Sequence, residues 1–476
     1  CIFSYIVLII FRRPLDVMSV NATNTAKVEE PFDVADVRPV EVVPSPVRAA
    51  LAKYKLLSAF LAFMLLGGVV AAGVVAVVLS TGKDEPEKKT CTYGQQTTVL
   101  ITRSNAPSGA ACAASAHLAA LVVPPGHVAS VWACSILAPR QLTAVLIEGL
   151  GDVVFVGSRK FRTNSSVFAI IGDANNEGAS EMVTIDTGLD QPNGVEWMNG
   201  ALYVATARAL LRYNNVEAAL RSQATKVLKT VLNAKVFPYL PSLQWHYLRK
   251  KGDVLHASNS AGCDHCLPEH AEAAAIVKLG SEADCFRAAQ PLVRGVRFSV
   301  GFTFTPSGDL IFTNNAHDSV AGDAPYDTIN FFQSSTQTSG HFGFPFCYAT
   351  STSGINATAG DLPSNAYYGD NPTGSNPHER RYCTQYQQGT AIGSHIAPLG
   401  VSFYNASALL VAERGAWGIS PPVGYKVSIV TANGSPAGAQ GFSSYSPFIY
   451  GFLNETSGTS WGRPVDVQKA ASNGAI

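Results

Sequence analysis

Six stretches of the chain follow one plan: an apolar strand, a polar turn, then a second apolar strand opening on Gly or another small residue. They are LTAVLIEGLGDVVFV, PNGVEWMNGALYVA, WHYLRKKGDVLHAS, VGFTFTPSGDLIFT, LGVSFYNASALLVA and RPVDVQKAASNGAI. Alternation over such short runs predicts strands, and a turn residue between two of them predicts a hairpin. The small residues after the turns are Gly151, Gly200, Gly252, Gly308, Ser407 and Gly474, separated by 49, 52, 56, 99 and 67 residues.

A repeat near fifty residues, with one hairpin per unit and no long helical pattern between units, marks a radial β architecture. The expected fold is an all-β, six-bladed β-propeller. The 99-residue gap is assigned to an insertion over Ser334 to Arg381, which is rich in Ser, Gly, Asn and Thr and holds no second anchor. Gly474 stands two residues before the final Ile476, so the last blade is expected to be truncated. Cys1 in place of Met points the same way, to an incomplete gene reading with Met18 as the start. One helix is expected, Val216 to Leu232, as an excursion between blades. Phe237 to Gln244 is expected to be a Pro-bounded inter-blade loop.

Leu56 to Leu79 breaks the pattern with 24 uncharged residues, apolar but for Ser58. As a helix it is long enough to cross a bilayer core of roughly 30 Å, and no helical domain surrounds it that could bury it instead. The organisation expected is a disordered cytosolic tail over 1–55 (1–17 untranslated if Met18 is the start), a transmembrane signal anchor over 56–79, a stalk over 80–120 and the propeller over 121–476. Arg48, Lys53 and Lys55 before the span nearly balance Lys83, Lys88 and Lys89 after it, so flanking charge does not orient it. Eight of the nine cysteines follow the span, as do glycosylation sequons at Asn164, Asn356, Asn405 and Asn454. Both favour a lumenal or extracellular propeller with disulfides.

Charged residues make up 14% of the chain, against about 25% in ordinary soluble domains, and 34 basic residues balance 34 acidic ones. With no basic stripe, nucleic acid is set aside as a partner.

Several segments carry a family likeness: PPGHVASVWA at 124–133, QPNGVEWMNGALYVATARALLRYNNVEA at 191–218, GCDHC at 262–266 and RGVRFSVGFTFTPSGDLIFTNNAHD at 294–318. GHFGFPFC at 340–347, HIAPLGVSFY at 395–404, AERGAWGISPPVGYKV at 412–427 and WGRPVDV at 461–467 continue it. In these, residues 121–476 resemble the glucose/sorbosone dehydrogenase family, soluble-type quinoprotein sugar dehydrogenases. The resemblance implies a six-bladed propeller carrying pyrroloquinoline quinone and Ca²⁺. In such an enzyme a His takes the proton of a sugar hydroxyl while hydride passes to the metal-polarised quinone.

Carried over residue by residue, the likeness is uneven. The position of the base falls on Ser242 or Leu243, neither of which can serve, and His246 beyond it is read as a satisfied or surface histidine. Arg297 matches the arginine set against quinone and substrate, although Phe298 replaces the Asn that follows it. The loop Asn314 to Asp318 corresponds to the one supplying calcium and quinone contacts, partly through carbonyls. It implies Asn315 and His317 as cofactor contacts and Asn315 and Ala316 as backbone metal ligands; the bland alternative is a turn built by Asn and Asp. His395 and Arg414 line analogous loops, Arg414 as a further cofactor contact. For Cys263 and Cys266 a structural disulfide is preferred over a redox CxxC or a zinc site, and Cys347 with Cys383 looks like a staple across the insertion. Two functions follow: a membrane-anchored sugar or aldose dehydrogenase, or a propeller that binds a carbohydrate or a protein without turnover.

Overall fold

The computed structural model describes residues 5–12 and 91–476, except 107, 109–110, 160–164, 174, 176, 241–243, 265, 267, 287–288, 319–324, 346–347, 350–388, 417–418, 433–441, 471 and 473. Five antiparallel sheets follow one another along the chain as blades of an all-β propeller. The first runs outward from Pro139–Ile147 through Gly151–Ser158 and Ser165–Gly172 to Ala179–Leu189. The second runs from Gly194–Met198 through Ala201–Ala205 and Leu210–Asn214 to Lys226–Asn233. The third comprises Leu248–Lys251, Val254–Asn259, Ala275–Gly280 and Gln290–Arg294. The fourth comprises Phe302–Phe304, Leu310–Asn314, Tyr326–Phe332 and Thr390–Ser394, and the fifth Pro398–Asn405, Ala408–Glu413, Lys426–Ala432 and Phe442–Ile449.

Each sheet opens with a hairpin foreseen in the alternation. Gly151 sits at φ 78° in open space, which is why a residue without a Cβ serves at that turn. The apolar faces of neighbouring sheets make the core. Phe155 and Val167 of the first pack with Val195, Leu202 and Tyr213 of the second, and Ile311 and Ile329 of the fourth pack with Val401 and Val411 of the fifth.

Where the first strands converge, the axis is filled by polar side chains. Gln141 donates from Nε2 to Leu248 O at 2.5 Å, and its Oε1 accepts from Leu248 N at 2.8 Å and Val195 N at 3.2 Å, tying three sheets together. Beside it the Arg249 guanidinium lies 3.7 Å from Glu196 and 3.9 Å from Asp466, and it bonds the Tyr247 hydroxyl, which donates to Asp466 at 2.9 Å. Asp466 belongs to the segment after Trp461. That segment reaches the fifth sheet through Gly400 N donating to Val465 O at 3.2 Å, and the first through Leu142 N donating to Asp466 Oδ2 at 2.8 Å. The strands approach closely enough that a Cβ on Gly301 would lie 2.0 Å from Leu399 O, and one on Gly400 2.0 Å from Asp466 Oδ1.

Three expectations are corrected. The helix over Val216 to Leu232 stops at Arg221; Lys226–Asn233 is a strand that pairs with Leu210–Asn214 on one side and Thr97–Leu100 on the other, and its β-branched Val227, Thr230 and Val231 suit that surface. The stretch expected as a stalk is in part a strap. Thr97–Leu100 joins the outer edge of the second sheet and Thr102–Asn105 that of the first, while Cys91 is bonded to Cys285 of the third. Pairing hides backbone groups that an open edge would leave to other chains. Tyr5–Arg12, placed with the tail, pairs with Val128–Leu137. The 99-residue gap holds the insertion within the fourth sheet, between its third and fourth strands. The apolar run 56–79 lies outside the described residues; among the described residues no helix is long and apolar enough to cross a membrane.

Because Gly301 faces a neighbouring carbonyl rather than a movable side chain, Gly301→Ala is expected to destabilise the fold by about 2–3 kcal/mol. Gly151→Asn, at an open turn with φ that Asn tolerates, should cost under about 1 kcal/mol. Denaturant midpoints of the two variants check the difference.

Candidate functional site

In every sheet the first strand begins at the end where the second strand finishes, so one end of the propeller collects the lead-in residues and the loops that follow the second strands. Arg140 and Arg159 come from the first sheet, Trp245 from the lead into the third, Arg414 from the loop after the fifth sheet's second strand, and Arg463 from the segment after it. Arg140 and Arg159 lie over the Trp245 ring, at 4.9 and 4.8 Å from its centroid. Phe298 meets the same indole edge-on at 5.4 Å.

These arginines feel one another. Burial first, and then the charge of Arg159, pulls Arg140 down to about 10. Burial followed by Arg414 brings Arg159 to about 10, and burial followed by Arg463 and Arg140 brings Arg414 to about 9. Guanidinium groups keep their proton under ordinary conditions, so these depressions reflect the cost of burying charge, with mutual repulsion added, rather than neutral side chains. The cluster is held from behind. Arg463 donates to Arg414 O at 2.9 Å, Gly415 O at 2.6 Å and Ala416 O at 2.9 Å, and Arg159 Nε donates to Gln191 Oε1 at 2.6 Å. Arg140 Nε is buried without a hydrogen-bond partner. Such a site favours an anion, and a planar one can lie along the indole.

Arg297 does something different. Its guanidinium, 4% exposed, donates from Nε to Asp264 O at 2.9 Å and from one terminal nitrogen to Asp264 Oδ1 at 2.6 Å and Asp318 Oδ2 at 3.3 Å. The other terminal nitrogen donates to Ala316 O at 2.6 Å and faces Asn315 O at 3.5 Å. Those are the two carbonyls expected to ligate a metal. The Asn315 side chain is also committed, to Phe298 O and Pro398 O at 3.1 and 2.9 Å. Calcium therefore does not fit at Asn315 and Ala316 while Arg297 holds them. Among the described residues no group of three or more His, Cys, Asp or Glu side chains forms a metal site.

His317, 3% exposed, meets Tyr348 edge-on at 5.1 Å. Asp327 behind this loop accepts from Ala316 N at 2.8 Å and Ala397 N at 2.9 Å, and burial raises it to about 7. Of the four expected cofactor contacts, Arg414 joins the arginine cluster; Arg297, Asn315 and His317 gather around the neighbouring loop.

His246 is a core residue. It is 1% exposed, stacks on Phe237 at 3.9 Å, and places Nδ1 at 2.8 Å from Asn259 Oδ1 and Nε2 at 3.1 Å from Ala207 O. Ser242 and Leu243 lie outside the described residues. Cys263 and Cys266 form the expected disulfide and so are not zinc-ligating thiolates here; two further bridges, Cys91–Cys285 and Cys112–Cys134, were not foreseen. Cys347 and Cys383 lie outside the described residues.

A family model described as TrAA12-like matches residues 121–471. The chain belongs to the TrAA12-like family. Among relatives of this family member, an uncharacterized protein of Borreliella burgdorferi is 25% identical over 386 residues, 77% of this chain and 90% of that protein. The holo form of the pyranose dehydrogenase PQQ domain from Coprinopsis cinerea superposes with a TM-score of 0.56 at 16% identity, over 82% of this chain and 95% of that one. An iodide structure of the Trichoderma reesei carbohydrate-active enzyme family AA12 gives 0.58 at 17% identity, over 82% and 98%. At these identities the likeness is one of fold, and it agrees with the sugar dehydrogenase family recognised in the motifs.

Arg140, Arg159, Arg463 and Trp245 were missed in the sequence. A signal exists: Arg140, Arg297 and Arg463 each stand eleven residues before the small residue of their own hairpin, Gly151, Gly308 and Gly474.

Burial lowers His246 from 6.5 to about 4. As pH falls the unfolded chain takes up this proton first, so the stability tied to neutral His246 is complete above pH 6.5 and is lost between 6.5 and 4. Over that window the protein is expected to lose about 3 kcal/mol more than His246→Gln does, measured by urea denaturation at several pH values. Asp327, raised rather than lowered, acts with the opposite sign in both proteins and cancels in the comparison.

Proposed function

We propose that the propeller binds pyrroloquinoline quinone on the cluster of Arg140, Arg159, Arg414 and Arg463 and oxidises a hydroxyl or aldehyde of a sugar. The observation that carries this is the convergence of four arginines at one end of the propeller, Arg140 and Arg159 over the Trp245 indole and Arg414 close enough to feel Arg140 and Arg463. The quinone is a flat tricarboxylate, and guanidinium forks match carboxylates in shape and charge. When bound it supplies a hydride acceptor. The arginines orient it and Arg463 keeps Arg414 in place. Family membership and the PQQ domain of the Coprinopsis enzyme support the same reading.

One observation favours a second reading, a carbohydrate-binding or protein-binding propeller without turnover. The family's proton acceptor falls on Ser242 or Leu243, and His246 beside them has both ring nitrogens engaged in the core. A missing general base costs about 10²–10⁴ in rate, so slow turnover and none are the outcomes to separate.

The six-blade count and the cellular setting belong to the same proposal. The segment after Trp461 turns back through Gly474 N donating to Ala470 O at 3.2 Å, between the first and fifth sheets, which supports a sixth blade. The run 56–79 is the proposed single-pass signal anchor, with the propeller lumenal or extracellular. Three disulfides, and sequon residues Asn405 and Asn454 at exposed positions, support an oxidising compartment.

Quinone titration followed by fluorescence quenching, then dye reduction with a panel of aldoses, tests the reading. Saturable binding with sugar-dependent reduction is expected, and Arg140→Gln with Arg414→Gln should weaken quinone binding roughly 100-fold. Binding without reduction across the panel favours the second reading. Absence of binding sinks the quinone assignment.

A further inference from the structure

We infer that the guanidinium of Arg297 is a built-in replacement for the divalent cation that the family resemblance places at this loop, so that the site takes its anionic cofactor without metal. The cofactor half of this inference rests on the quinone reading above.

The five oxygens around Arg297 form a cation cage. Asp264 contributes a carboxylate oxygen and its carbonyl, Asp318 a carboxylate oxygen, and Asn315 and Ala316 their carbonyls. Carboxylates and backbone carbonyls converging from separate loops are the donor set of a hard cation such as Ca²⁺, which takes six to eight oxygens at about 2.3–2.6 Å. Here the donors are met by N–H groups at 2.6–3.5 Å instead. A lone pair directed at a guanidinium proton is not available to a metal, and a dication beside a buried guanidinium is repelled by it.

Three residues of the cage are tied down. Asp264 sits inside the Cys263–Cys266 bridge, Arg297 O accepts from Ala261 N at 2.7 Å, and Ala316 N is held by Asp327. Arg297 thus joins the loop after the third sheet's second strand to the equivalent loop of the fourth. That is the bridging role a calcium ion performs, with one covalently tethered charge in place of two exchangeable ones.

The test uses the full chain, with calcium uptake measured by titration calorimetry and quinone affinity measured with and without a chelator. Expected are no calcium uptake and a quinone dissociation constant that changes less than about twofold on chelation. Arg297→Ala should gain one calcium site that is lost again on adding Asp264→Asn, and its quinone binding should become calcium-dependent. Quinone binding by the unsubstituted protein that is lost on chelation and restored by calcium overturns the inference. So does calcium uptake by that protein that Asp264→Asn abolishes. If the quinone binds under neither condition, the quinone reading fails, and the calcium titrations still decide this one. If Arg297→Ala does not fold, the measurements on the unsubstituted protein decide it.

Discussion

The buried guanidinium of Arg249 sets the geometry on which everything else rests. A charge at the axis is tolerable only when paired, and its partners come from distant parts of the chain: Glu196 from the second sheet, Tyr247 from its own, and Asp466 from the segment after the fifth. Burial raises both acids above their ordinary values, and the neighbouring Arg249 charge opposes the shift. With Gln141 bridging three first strands, the arrangement fixes radius and register together. A slip of one residue would turn every inward polar group into a core face.

Register at the axis decides what stands above it. The lead into each first strand is only a few residues upstream of the plugged layer, so side chains there are aimed at the same central space. Two populations of arginine result, with opposite electrostatics. Arg249 and Arg297 are surrounded by oxygens and hold sheets together. Arg140, Arg159, Arg414 and Arg463 face like charge instead, with Arg140 and Arg159 over Trp245 and Arg463 over Tyr425, an arrangement that costs stability and would be relieved by an anion.

The hairpins were legible because turn glycines and period-two alternation are local signals, and Gly151, Gly200, Gly252 and Gly308 fall where the strands turn. The helix from Val216 was overextended because Lys226–Asn233 mixes apolar and basic residues at spacings that suit either period, and only burial against the second sheet decides for a strand. The strap through Thr97–Asn105 and the Cys91–Cys285 bridge were illegible, since which outer edge a segment joins depends on how sheets are arranged in space. The arginine cluster was hidden for a related reason. Its members are spread from 140 to 463 and become neighbours only when the blades are laid over one another. Arg297 was seen, and its partners were not, because a motif names a position but not what its side chain will meet.

Holding an anion and taking a proton ask different things of the site. Holding an anion needs charge density, which four arginines from three parts of the chain, two of them from the first sheet, supply together, so no single substitution removes it. Taking a proton needs one group with a suitable pKa at one place. His246, beside the position the family uses, has been drawn into the core, where stacking on Phe237 and burial hold it neutral down to about pH 4. Its two nitrogens are satisfied within the protein, and releasing them would break contacts to Ala207 and Asn259 that tie the second sheet to the third. Binding by a distributed set of charges therefore tolerates substitution better than proton transfer by a single residue does, and in the proposed function turnover depends on the latter.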